Sequence, residues 1–231
     1  MSRVGVLTGM AGEARLIERV DAGVEPPPII ACAGAEAGRA RREVSRLIAE
    51  GATALLSFGL CAGLDPELRP GRLVCPERVT SPGGPVRAVD RTWRITALAA
   101  LDSIGRDATD GALAGSPRML ARPADKRALA TRTGALAADM ESHVLAEAAA
   151  EAALPFLVLR AVGDPAERAL PPVALEALTD DGETRPLGVV LGLLRDPRQV
   201  PALIRLAWEA RASYAALGDV ARLGPAVILG P

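Results

Sequence analysis

Short apolar runs alternate with longer stretches of helical periodicity along this chain, and that alternation predicts an α/β fold built on a mixed, mainly parallel sheet. Strands are predicted at Val4 to Leu7, Pro28 to Ala33, Ala54 to Phe58, Leu73 to Val79, Ala112 to Ala114, Ala135 to Ala138 and Phe156 to Val162, with helices between them. The clearest helix is Arg39 to Glu50, where Val44, Leu47 and Ile48 share one face and Gly51 supplies a stop. From Ser142 to Ala153 the chain is dominated by Ala, with Val144, Leu145, Ala148 and Ala152 at helical spacing. Pro197 to Leu217 reads as a C-terminal amphipathic helix, with Val200, Leu203, Ile204, Ala207, Trp208 and Leu217 near one face and Arg205, Glu209 and Arg211 elsewhere. Its role is packing on the sheet or contact with a membrane surface. Ser81 to Val86 and Asp164 to Pro186 are rich in Pro and Gly and break both periods. The second is long enough to serve as a flap over a ligand site or as a plain surface loop.

Composition narrows the classes. With 231 residues, 49% of them hydrophobic, residues 1–231 have enough chain to bury one large core as a single domain. The net charge of -1 supplies no basic field for nucleic acid, and 2% aromatics leave no stacking platform for bases. Cys32, Cys61 and Cys75 are odd in number and widely spaced, so neither a disulfide framework nor a metal site is expected, and reduced thiols in the cytoplasm are the default. The chain opens on a strand pattern rather than a targeting segment, and no run approaches the ~20 apolar residues needed to span a bilayer. A soluble protein is the expectation. No internal repeat is apparent.

The candidate chemistry lies in carboxylates. Glu141 precedes the Ala-rich helix and Asp164 ends the strand that follows it. In an α/β unit a helix N-terminus and the next strand's C-terminus lie on one sheet edge, so Glu141 and Asp164 are expected to meet where open α/β sheets bind ligands. Two more segments fall on that edge. The first strand ends in Thr8-Gly9-Met10-Ala11-Gly12-Glu13, which places Glu13 at a helix N-terminus, a position also explained by dipole complementation. The third strand ends in Ser57-Phe58-Gly59-Leu60-Cys61-Ala62-Gly63-Leu64, read as a small-residue turn that lets a ligand approach the backbone. Gly5, Gly9 and Gly12 miss the dinucleotide pattern G-x-G-x-x-G, so no cofactor is expected.

These segments, in this order, resemble the nucleoside phosphorylase and nucleosidase superfamily, especially methylthioadenosine/S-adenosylhomocysteine nucleosidases. Met10 and Glu13 match the family's first-strand Met and catalytic Glu, Ser57 to Leu64 its glycine-rich segment, Asp139-Met140-Glu141 its Glu-Met-Glu, and Leu159 to Asp164 its V-R-A-I-S-D-like strand. Ser57 to Leu60, Asp164 to Pro172 and Asp196 to Leu203 further resemble the hopanoid-biosynthesis-associated branch, thought to remove adenine from adenosylhopane. The resemblance implies a three-layer αβα domain and cleavage of an adenine nucleoside at its N-glycosidic bond. It also implies at least a homodimer, and a lipid-linked substrate would bring peripheral contact with the inner face of a membrane.

Residue roles follow from the same resemblance. Breaking a ribosyl C–N bond puts positive charge on the sugar and negative charge on the departing base. Asp164 would protonate the purine, which requires a pKa raised towards working pH by partial burial. Glu141 would hold ribose hydroxyls, Met140 would pack on the sugar and Glu13 would position the nucleophilic water. Gly59, Leu60, Gly163 and Arg160 would complete the substrate site, Arg160 having a salt bridge to a nearby carboxylate as its alternative. Two departures matter. Phosphorolytic relatives hold phosphate with an Arg and a Ser where this chain has Ser57 and Leu60, so water is the expected nucleophile, unless Arg39, Arg41 or Arg42 compensates. Gly163 stands where nucleosidases have a serine that orients the acid. Asp139 reads as a first-turn acid, and His143 as structural.

Overall fold

The computed structural model describes residues 3–19, 25–34, 37–176, 195–224, 227 and 230. Its ten strands, numbered in chain order, are β1 (Val4–Thr8), β2 (Ile29–Cys32), β3 (Ala54–Gly63), β4 (Leu73–Val74), β5 (Arg78–Thr80), β6 (Val86–Ala88), β7 (Ala108–Thr109), β8 (Ala112–Gly115), β9 (Ala137–Asp139) and β10 (Phe156–Asp164). The helices are α1 (Ala11–Glu18), α2 (Ala37–Ala49), α3 (Arg91–Ser103), α4 (Pro123–Thr133), α5 (Ser142–Glu151), α6 (Pro172–Glu176) and α7 (Val200–Arg222), the last preceded by a 3-10 turn at Pro197–Gln199.

All ten strands join one mixed sheet, mainly parallel as expected. Helices α2 and α5 pack together over one face and α1 and α7 over the other, giving three layers. β3 and β10 form the centre. Because they are covered on both faces, they read as near-continuous apolar runs, with Leu55, Leu56, Phe58, Leu157, Val158 and Leu159 fully buried. The predicted stripe of α2 is the buried one: Val44 and Leu47 are inaccessible and Ile48 packs at the margin. Small residues let α5 lie close to the sheet, and Ala146 and Ala149 are fully buried.

One feature of the sheet creates the site. β3 shares one edge with β10 from Leu55 to Ala62. Its other edge is used twice, by β1 in parallel over Ala54–Ser57 and by β9 in antiparallel at Ala62–Gly63. Between these, the sheet forks, and Phe58 to Cys61 have no strand partner on that side among the described residues.

Several boundaries differ from the sequence reading. Ser57 to Gly63 is not a turn: it continues β3, and its small residues serve the crowding described below. Leu73 to Val79 is two strands, because Pro76 cannot donate to a ladder and the chain changes neighbours there, β4 pairing with β10 and β5 with β8. Within Asp164 to Pro186, the first part carries α6 and is tied to α4 by Lys126 at Pro165 and Arg168; residues 177–186 of the segment, on which the flap reading also falls, lie outside the described residues. No described helix is long and apolar enough to cross a membrane.

Candidate active site

The C-terminal ends of β1, β3, β9 and β10 open onto a cavity of about 510 Å3. Every residue the sequence places in the site lines it except Gly59, which lies directly behind: Met10, Glu13, Leu60, Met140, Glu141, Arg160, Gly163 and Asp164 all face the same space. Glu141 and Asp164 therefore share the cavity, each held by a different cation.

Glu13 fills the fork in the sheet. It stands in the first turn of α1, and its Oε2 accepts hydrogen bonds from the backbone N–H groups of Gly9 and Met10, both at 2.9 Å. Oε1 accepts from the Leu60 N–H at 2.8 Å, so the carboxylate substitutes for the strand that β3 lacks there. Dipole complementation alone would not bury a glutamate to 1% exposure. Burial raises its pKa above the usual carboxylate range, against the pull of Arg160 and the three backbone donors.

Gly59 explains the small residues in this stretch. Its φ of +149° favours glycine, and a Cβ there would stand 2.4 Å from Glu13 Oε2 and 2.8 Å from Arg160 Nη1. Gly9 is similarly constrained, since a Cβ would come within 3.0 Å of Glu141 Oε1.

Arg160, on β10, is fully buried and is the hub of a polar cluster. Its Nη2 donates to Ser57 Oγ at 2.6 Å and Glu141 Oε2 at 3.1 Å and pairs with Asp139 Oδ2 at 2.7 Å, while Nη1 donates to the Leu60 carbonyl at 3.3 Å. Asp139 also accepts from the Ser142 N–H at 3.1 Å and from the Ser142 hydroxyl, capping α5. The salt bridge expected as the alternative for Arg160 is thus present, and it holds Glu141 where that carboxylate lines the cavity. Burial raises the Glu141 pKa; Arg160 opposes this, and the neighbouring Asp139 and Glu13 reinforce it. Burial works against the Arg160 charge, but Asp139, Glu141 and Glu13 together hold its pKa above the ordinary value.

Asp164 ends β10, where the register slips between Val162 and Asp164 and the irregularity re-aims the side chain. Burial raises its pKa to about 6, against the opposing charge of Lys126. Lys126, from α4, is fully buried and forms an ion pair with Asp164 Oδ2. Nothing in the sequence marks it: a lysine in an exposed-looking helix is usually a solvent residue.

Most of the remaining wall is apolar, with Ser116 and Tyr214 among its polar members. Leu170 and Ala174 contribute from one side, and Leu203, Leu206, Ala207 and Ala210 of α7 from another. Tyr214 reaches Met10, its hydroxyl 3.9 Å from the sulfur. α7 is fastened by the Ser213 hydroxyl, which donates to the Val162 carbonyl at 2.7 Å, and by an Arg168–Glu209 ion pair at 3.0 Å. His143 lies elsewhere, buried on a second cavity of about 460 Å3 with Arg41, Arg42 and Glu147. Arg41 is paired with Glu147 at 2.9 Å. Among the described residues lining the main cavity, Arg160 is the single guanidinium.

Solved structures of other proteins share this fold. The futalosine hydrolase of Helicobacter pylori superposes with a TM-score of 0.69 at 15% identity, covering 95% of this chain and 97% of that one. The 5′-methylthioadenosine/S-adenosyl homocysteine nucleosidase of Campylobacter jejuni gives 0.70 at 15%, with 96% and 98% covered. The corresponding nucleosidase of Neisseria meningitidis, in complex with methylthio-immucillin-A, gives 0.69 at 16%, with 96% and 99% covered. No curated protein matches the chain by sequence. The model of the phosphorylase superfamily matches residues 3–195, most of the chain, and the chain belongs to the phosphorylase superfamily.

Proposed function

We propose that this protein hydrolyses the N-glycosidic bond of an adenine nucleoside that carries an apolar 5′ substituent. The observation that carries this reading is the division of charge in the cavity. At one end Glu13, Asp139 and Glu141 surround a single Arg160, an anion-rich pocket suited to a sugar that becomes cationic as its C–N bond breaks. At the other end Asp164, with its pKa raised to about 6, is placed to protonate the departing base. Glu13 positions and deprotonates the attacking water, and Glu141 holds the ribose hydroxyls.

Water is favoured over phosphate on two grounds. The groups at the positions where phosphorolytic relatives bind phosphate are already engaged, Ser57 by Arg160 and the Leu60 N–H by Glu13. Burying a dianion beside three carboxylates is costly when Arg160, the single guanidinium among the described lining residues, is already paired with them. Of the compensating candidates Arg39, Arg41 and Arg42, the last two line the other cavity, and Arg39 lies within electrostatic reach of Cys32 at the end of β2.

The likeness to methylthioadenosine nucleosidases supports a small 5′ substituent. A lipid-linked adenine nucleoside such as adenosylhopane is supported instead by the sequence segments of the hopanoid-associated branch. It is also supported by α7, whose Leu203 and Leu206 line the cavity while Ile204 and Trp208, 54% and 66% exposed, form an apolar ridge outside it. A homodimer, a cytoplasmic location and contact with the membrane surface belong to the same proposal. Base release, as adenine from methylthioadenosine and a lipid-linked adenosine and as hypoxanthine from inosine, each with and without millimolar phosphate, tests it. Free ribosyl product in both conditions supports hydrolysis; a phosphate-dependent ribose 1-phosphate overturns it, and the preferred adenine nucleoside identifies the 5′ group.

A further inference from the structure

Lys126 is an expensive residue. A lysine with no solvent exposure loses the hydration of its ammonium, and its place in the first turn of α4 sets that charge against the helix dipole. The structure shows what offsets this. Nζ donates to the carbonyls of Pro165 at 2.8 Å and Arg168 at 3.1 Å, and its third partner is Asp164 Oδ2. Two of the three N–H bonds of the ammonium go to these carbonyls, and Asp164 Oδ2 faces the charge as an ion pair with no hydrogen bond of its own. Gly163 has no side chain with which to orient its neighbour. The cation of α4 is therefore the group that fixes the carboxyl of β10.

We propose that Lys126 is the positioning residue for the acid: it clamps Asp164 Oδ2, so that the transferable proton resides on Oδ1, and its charge sets the pH above which that proton is lost. This rests on the reading of Asp164 as proton donor. The clamp works in two ways. The two carbonyls hold the ammonium in place, so that an ion pair with a fixed charge, rather than a rotatable hydroxyl, holds Oδ2 of the carboxyl. The positive charge also favours the ionised acid, partly cancelling the effect of burial and of the nearby Glu209 carboxylate on α7, and keeps the carboxyl able to give up its proton rather than locked neutral.

The test uses Lys126→Gln, whose amide retains donors for the Pro165 and Arg168 carbonyls while removing the charge. The carboxyl of Asp164 is followed by carbon-13 NMR in the substrate-free protein, with Asp164→Asn assigning the signal. The clamp predicts that the midpoint rises by at least about one pH unit in Lys126→Gln, because an adjacent cation had been lowering it. It predicts that kcat for adenine release falls by about 100-fold with KM nearly unchanged, as misplacement of a catalytic group costs. Adding Lys126→Gln to Asp164→Asn should then cost nothing more.

A midpoint that moves by less than about 0.3 units, or losses that add in the double variant, would overturn the clamp while leaving the proposed reaction intact. Full turnover in Asp164→Asn would remove the premise instead. If Lys126→Gln does not fold, the nitrogen-15 signal of Lys126 Nζ in the unaltered protein decides. It must shift with the Asp164 titration, and a signal flat across that range overturns the proposal.

Discussion

Asp139 and Arg160 form an ion pair at 2.7 Å with both side chains almost completely excluded from solvent, and Glu141 completes it on the same guanidinium nitrogen. Such a pair adds little net stability when intact, but losing one member strands the other in a medium that cannot solvate it. Arg160→Met is accordingly expected to cost about 3–5 kcal/mol in urea unfolding. The loss should grow with pH. With the arginine gone, the folded-state carboxylates bind protons that the unfolded chain has already released, so stability falls as pH rises from the unfolded carboxylate range through the raised folded values. An equal loss at pH 5 and pH 8 would show that the carboxylates find other partners.

Glu13→Gln and Asp164→Asn should each lower adenine release by at least about 100-fold, the usual worth of an acid–base step. Their stabilities should separate them. Both oxygens of Glu13 accept from backbone N–H groups, so a glutamine must turn its NH2 towards at least one donor, costing about 1–3 kcal/mol. Asparagine at 164 can still offer its carbonyl to Lys126. Unfolding curves and circular dichroism on the two variants check the order, and near-normal turnover in either removes that residue from the chemistry.

The raised pKa of Asp164 fixes a pH limit. An acid titrating at about 6 is protonated below that value and lost above it, so kcat/KM for an adenine nucleoside should decline above pH 6, by about tenfold per unit once well beyond. A riboside whose leaving group is 4-nitrophenolate needs no proton to depart. Its rate should not show that decline, and a parallel fall for both substrates would assign the limb to another group.

Gly59→Ala is the most economical way to disturb the carboxylate-rich end of the cavity. The new methyl would overlap Glu13 and press on Arg160, on a backbone conformation that costs an L-residue about 1–3 kcal/mol. Activity should fall by about 100-fold, since small displacements of reacting groups are penalised that steeply. A crystal structure of the variant with Glu13 unmoved, or full activity, would contradict this account of the glycine.

The convergence of Glu13, Glu141 and Asp164 was legible because chain order and the antiparallel placement of helix on strand force those ends to one edge. What was not legible depends on contacts between distant elements. Lys126 reaches Asp164 across 38 positions from a helix whose local sequence resembles solvent-facing surface, so no period or motif singles it out. Asp139 looks like an ordinary first-turn acid until Arg160 is beside it. Ser57 to Gly63 has the composition of a turn, but its small side chains make room for a carboxylate and a guanidinium against a central strand. Propensity sees the missing side chains and not the groups that occupy their space.

The hydrogen bond that closes the fork in the sheet also gives the protein a spectroscopic window of its own. The Leu60 amide proton points at the oxygen of a buried glutamate, and its chemical shift depends on whether that oxygen is charged. A single backbone resonance thus registers the ionisation of Glu13 in the resting protein and in complexes with ground-state or transition-state analogues, with no label introduced into the cavity.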